Sequence, residues 1–239
     1  SESLFGTRLL PVGTIYDTFI GRGLDALNYA TYIDSRFILV GTPSGVTLSH
    51  EGGAHQSIIT PNIGMAQPNL DYYEPAYADE LSFLFFWALN NIQAKNGKSV
   101  YFRLSTKKLR QPERIISNSL KNDLIKGGYW FHRPEKKLDL LFICTGVIVG
   151  EVLNAIHAMT DDNLQIGLFV ISSPDKLYQD WLQSTKKVGS TSFIEKQLSQ
   201  IDISAPIMTI IDGHSSSLSW IGSVTVSYTH LTLPTIVSV

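Results

Sequence analysis

The chain has 239 residues, 44% of them hydrophobic and 17% charged, and a formal net charge of −2. That is enough apolar material for one large or two smaller cores, and the near-neutral balance gives no overall field for nucleic acid or an anionic membrane. No run reaches the roughly 18 apolar residues of a membrane span, no secretory leader opens the sequence, and a cytoplasmic setting is the expectation. The single cysteine, Cys144, sits inside the apolar run Leu140-Leu-Phe-Ile-Cys144 and reads as a buried structural thiol.

In chain order, residues 8–15 read as a strand entering a turn, and residues 16–29 carry apolar side chains near helical spacing. A compact strand at 36–40 leads into a glycine-rich loop containing Glu51-Gly-Gly-Ala-His55-Gln56. A loop just past a strand end is where open α/β sheets gather ligands. Residues 61–65 read as a further loop and Asp71-Tyr-Tyr-Glu74-Pro75 as a helix start, followed by a long apolar helix over 78–93. Ser99 to Thr106 alternates like a strand.

From 138 onward the pattern becomes a regular alternation. Strands are predicted at 138–145, 166–172 and 206–211, with helices at 150–159, 175–186, 193–201 and from 215. The expected fold class is therefore α/β, with two three-layer domains built on mostly parallel sheets. The expected division is 1–115, a linker at 116–137, and 138–224. Residues 225–239 break the alternation and resemble a translated sequencing-library adapter. They are expected to be a non-native tail, and His230 is given no role.

Tyr16-Asp-Thr-Phe19-Ile-Gly-Arg22, with Glu51-Gly-Gly-Ala-His55-Gln56 some thirty residues later, resembles the pyrimidine-binding domain of transketolase-like, thiamine-diphosphate-dependent enzymes. Family members carry Tyr-x-x-Phe-x-x-Arg before a helix and Asp-Gly-x-Thr-His-Gln in the loop after the next strand. The stretch Gly45-Val-Thr-Leu-Ser-His50 through Glu74-Pro75-Ala76 looks most like the homodimeric pyruvate dehydrogenase branch, and 138–224 looks like the family's C-terminal domain.

The resemblance implies thiamine diphosphate as cofactor, with Tyr16, Phe19 and Arg22 binding it and His55 as the catalytic group facing substrate. An aromatic platform suits a planar pyrimidine ring, and an imidazole can donate and accept a proton near neutral pH. Glu51, Gln56, Arg103 and His214 are the substrate-side candidates. Glu51 stands where many relatives have Asp. His50, His132 and His157 are expected to be structural or peripheral.

No Gly-Asp-Gly occurs in the sequence, so the chain is read as a fragment with no metal ligands of its own. Mg2+ and the cofactor diphosphate are then expected on a domain outside it. The implied activity is pyruvate decarboxylation with acyl transfer to a lipoyl-bearing acyltransferase partner, in a homodimer acting on a small 2-oxo acid. The alternatives are a transketolase- or deoxyxylulose-phosphate-synthase-like two-carbon transferase, or a non-catalytic scaffold.

Overall fold

The computed structural model describes residues 2–47, 52–133, 137–159, 164–199 and 205–224, and the backbone of His230–Leu231. After a short helix α1 (Glu2–Phe5), the first sheet comprises β1 (Val12–Ile15), β2 (Ile38–Gly41), β3 (Leu70–Tyr73) and β4 (Ser99–Arg103). Its order is β1-β2-β4-β3 and every pairing is parallel, with Val40 opposite Phe102 and Tyr72 opposite Tyr101. All four strands thus deliver their C-terminal ends to one edge.

Helices α2 (Leu24–Tyr32), α3 (Thr60–Ala66) and α4 (Ala78–Gln93) cover this sheet. In α4, Leu84, Ala88 and Ile92 recur at four-residue spacing and are fully buried. They pack with Ile38, Val40, Val100 and Phe102 on one face of the sheet, while Leu70, Tyr72 and Tyr101 pack with Ile20 and Leu27 on the other. Each such aliphatic side chain contributes about 1.5–3 kcal/mol on burial. Alternate strand residues therefore feed two cores, which is what makes three layers.

Two stretches of this first sheet region differ from the sequence reading. Residues 61–65 are helical, because Pro61 occupies the first turn, where its missing N–H costs nothing. A Cβ on Gly64 would collide with the Tyr72 ring, so this glycine serves close helix–strand packing rather than a loop. Asp71–Tyr73, read as a helix start, is strand β3 instead. All four of its residues are buried, and Tyr72 stacks on Tyr101 at 5.3 Å between ring centroids.

The second sheet contains β5 (Gly128–His132), β6 (Leu140–Thr145), β7 (Ile166–Ile171), β8 (Ile207–Ile210) and the dipeptide strand β9 (His230–Leu231), in the order β5-β7-β6-β8-β9. Only β5 runs antiparallel. Helices α5 (Asn118–Lys126), α6 (Val149–Ala158), α7 (Pro174–Thr185) and α8 (Phe193–Leu198) accompany it. Ser173 caps α7 by accepting from the Lys176 amide, and Ser192 with Glu195 forms a capping box on α8.

The stretch expected as a linker, 116–137, instead holds α5 and β5, which is the edge strand of the second sheet. Ser117 caps α5 and left-handed Gly127 ends it. One continuous core joins the sheets, running from α4 through Leu124 and Tyr129 to Phe142, Cys144 and Val170. Where helices were expected after residue 215, two short 3-10 segments, Ser215–Ser217 and Ser219–Ser223, form. Apart from the β9 backbone, the tail 225–239 lies outside the described residues. Among the described residues no helix is long and apolar enough to cross a membrane.

Candidate functional site

The site is built at the edge where β1 and β2 end. β1 runs out at Ile15 and places Tyr16 at the mouth of a 3-10 helix, Asp17–Gly23. Tyr16 and Phe19 meet edge-to-face at 5.4 Å between centroids, and the Arg22 guanidinium lies over the Phe19 ring at 4.6 Å. Phe19 is 43% exposed, so an aromatic ring with a cation on one face remains open to solvent.

The loop after β2 returns as a second short 3-10 turn, Gly53–His55. Its His55 meets the first motif directly. The Tyr16 hydroxyl and His55 Nδ1 are 3.0 Å apart, the two rings contact edge-on, and Thr18 Oγ1 donates to the His55 carbonyl at 3.0 Å. Motifs 39 positions apart in the sequence thus form one exposed aromatic–imidazole cluster. With Nδ1 engaged, Nε2 is the ring nitrogen left to face an incoming group. Gln56 follows in extended conformation, half-buried. Glu51 and His50 lie outside the described residues.

Beneath this surface lies a polar cluster that the sequence did not announce. Asp17, between Tyr16 and Thr18, is fully buried. It accepts from Thr60 Oγ1 at 2.7 Å, from the Ser57 and Tyr101 hydroxyls, and from Arg103 Nε at 3.2 Å. Arg103 reaches on to Glu74 Oε1 at 2.7 Å and to the Ser57 carbonyl at 2.9 Å. Glu74 also accepts from the Tyr72 hydroxyl at 2.5 Å.

Burial raises the Glu74 carboxyl above its ordinary range, with Arg103 pulling it back. Burial by itself would weaken the Arg103 proton, but the Glu74 and Asp17 carboxylates outweigh it and hold the guanidinium charged. Ser57 begins the helix-bound side of the His55 loop, so this network ties both motifs to the end of β4.

Arg103 therefore does not serve as the substrate contact expected from its strand-end position. Its side chain is fully enclosed and its donors are committed to Asp17, Glu74, Thr60 and Ser57. His214 is exposed at the end of the second sheet, and its Nδ1 caps the following turn through Ser216. Its amide donates to the Ile58 carbonyl at 2.9 Å, which brings it beside the base of the His55 loop.

His157 lies in α6 and His132 at the end of β5. Cys144 is enclosed and burial pushes its thiol up, which leaves it inert. Among the described residues no group of three or more His, Cys, Asp or Glu is gathered to hold a metal. The sequence reading missed Asp17, Glu74 and Asp212. The available signals were an acid inside the Tyr16 motif and an Asp-Gly-His run after β8.

No protein-family model matches the chain. In sequence it is 25% identical over 186 residues to 1-deoxy-D-xylulose-5-phosphate synthase of Treponema pallidum, covering 77% of this chain and 28% of that enzyme. It is 29% identical over 174 residues to transketolase 2 of Saccharomyces cerevisiae, covering 72% of this chain and 24% of that enzyme. The chain thus spans less than a third of the length of these relatives.

Among solved structures, the transketolase of Leishmania mexicana superposes with a TM-score of 0.71 at 19% identity, covering 94% of this chain and 30% of that one. A split-gene transketolase in an inactive β4 tetramer gives a TM-score of 0.61 at 14% identity, covering 93% of this chain and 66% of that one. In sequence the chain is similar to transketolases and 1-deoxy-D-xylulose-5-phosphate synthases, and in fold it is similar to transketolases.

Proposed function

We propose that this chain forms the aminopyrimidine-side half of a thiamine diphosphate site in a two-carbon transferase of the transketolase and deoxyxylulose-phosphate-synthase kind. The observation that carries the reading is the contact between the Tyr16 hydroxyl and His55 Nδ1, which joins the two motifs beside the exposed Phe19 ring. Phe19 fits a planar heterocycle, since Arg22 occupies one of its faces and the ring is otherwise accessible.

Thiamine diphosphate, when bound, supplies the nucleophilic carbon for attack on a ketose or 2-oxo acid carbonyl. In this reading Tyr16 holds the imidazole in place, and His55 Nε2 exchanges a proton with the reacting oxygen. Gln56 and His214 stand at the same edge as substrate-side candidates. The diphosphate and its Mg2+ are assigned to ligands outside the span matched here. A homodimeric full-length protein, with each site shared between subunits, is part of the same proposal.

The names of the relatives support the transferase over the pyruvate dehydrogenase reading. A lipoyl-bearing partner is needed only by the dehydrogenase, and is not proposed. The test is an assay of the full-length protein with xylulose 5-phosphate, pyruvate and 2-oxoglutarate side by side, each with an aldose phosphate acceptor. Transfer of a two-carbon unit from xylulose 5-phosphate or pyruvate to the aldose is expected. Oxidative decarboxylation of a 2-oxo acid with no transfer to an aldose would overturn the proposal.

A further inference from the structure

The loop after β8 crosses from the second sheet to the first. Asp212 is 2% exposed and makes its bonds to residues about 165 positions away. Its Oδ1 accepts from the amides of Val46 at 2.7 Å and Thr47 at 3.2 Å, and its Oδ2 accepts from Thr47 Oγ1 at 2.9 Å. Two residues on, the His214 amide bonds the Ile58 carbonyl at 2.9 Å, and Asn62 Nδ2 donates to Ser216 Oγ at 2.7 Å.

One short loop therefore grips the chain on both flanks of His55, at 46–47 and at 58. The first domain adds a tie at the base, where the Gly45 amide donates to Ser57 Oγ at 2.9 Å. Gly45 has φ +88°, and a Cβ there would overlap the Asp212 carboxylate, so the turn is shaped to admit this acid.

We infer that Asp212 is the positioning residue for His55: the second domain, which contributes none of the aromatic–imidazole cluster, fixes where that cluster's imidazole stands. Asp212 touches no reacting atom; it acts through the turn at 45–47. The chemistry suits the task, because a buried carboxylate accepting two amides and a hydroxyl forms charge-assisted bonds stronger than neutral ones. The inference rests on the proposed role of His55.

The test uses the isotopically labelled full chain and its Asp212→Ala and Asp212→Asn variants. In Asp212→Ala, amide exchange at Val46, Thr47 and residues 52–58 should speed up about 10- to 100-fold, while Cys144 and Val170 change less than about threefold. The His55 ring resonances should move toward their positions in Tyr16→Phe. Asp212→Asn keeps an acceptor oxygen for the two amides but loses the charge, and should restore most of both readouts. Thr47→Val, which removes only the hydroxyl contact, should give the same regional pattern at smaller size and serves if the alanine variant does not fold.

Acceleration spread evenly over both sheets would overturn the inference, as would an unmoved His55 ring in Asp212→Ala. Because no readout needs thiamine diphosphate, this claim can fail while the cofactor reading stands, and the substrate assay can fail while this one stands.

Discussion

Replacing Arg103 by methionine separates a structural arginine from a substrate-binding one. The guanidinium sits between two carboxylates that have little access to water, with Glu74 3% and Asp17 0% exposed. On its loss, among the described residues, Asp17 keeps three hydroxyl donors, from Ser57, Thr60 and Tyr101, whereas Glu74 keeps only the Tyr72 hydroxyl. The penalty therefore falls on Glu74, as an uncompensated buried charge, and about 3–5 kcal/mol of stability should go. For a chain of this size that is roughly 6–20 °C in Tm, readable by calorimetry or by denaturant midpoints.

Burial already raises the Glu74 carboxyl with Arg103 present, and without it the shift grows. A carboxyl raised in the folded state binds its proton more tightly there than when unfolded. Its stabilising contribution is whole below the unfolded pKa and drains away as pH rises through the folded one. The deficit of Arg103→Met should accordingly shrink on acidification, and adding Glu74→Gln should recover part of it at neutral pH. A variant within about 1 kcal/mol of the parent, or one made worse by Glu74→Gln, would refute the buried-triad argument.

Two other perturbations follow from the same reasoning. Asp175, 5% exposed at the start of α7, is pushed up to about 7 from 3.8 by burial, with the Asp71 carboxylate adding and Lys176 and Lys98 opposing. The folded state holds this proton between those values, so stability should fall as pH rises from about 4 to 7, by at most about 4 kcal/mol. Asp175→Asn should flatten that slope in urea midpoints measured at several pH values; an unchanged slope would rule out this group as its source. Removing the capping box with Ser192→Ala should cost about 1 kcal/mol in the same measurement, since α8 loses the side-chain acceptor for the Glu195 amide.

Long periodic elements were legible in the sequence for a physical reason. α4 repeats buried residues over several turns, and β6 and β7 are buried on both faces, so their patterns survive without knowledge of neighbours. β3 was not legible, because its four residues become strand only by pairing with β4 and stacking Tyr72 on Tyr101. β5 was hidden likewise: Gly127 and Gly128 look like a linker until β7 is beside them.

At the site, the Tyr16, Phe19 and His55 motifs were legible through their resemblance to a family pattern, and the structure brings them together. Arg103 looked like a strand-end ligand, and only burial shows that its donors are spent. Asp212 stands in a visible Asp-Gly-His run, but its role was not legible there, since its partners lie about 165 positions upstream.

The most direct measurement of the central claim compares Phe19→Ala and His55→Ala in the full-length protein, with thiamine diphosphate affinity and turnover determined separately. The account predicts that Phe19→Ala weakens cofactor binding by about 1–3 kcal/mol while saturating cofactor restores most turnover. It predicts that His55→Ala binds cofactor nearly as the parent does but loses about 10²–10⁴-fold in kcat. Equal losses of affinity and turnover in both variants would contradict it.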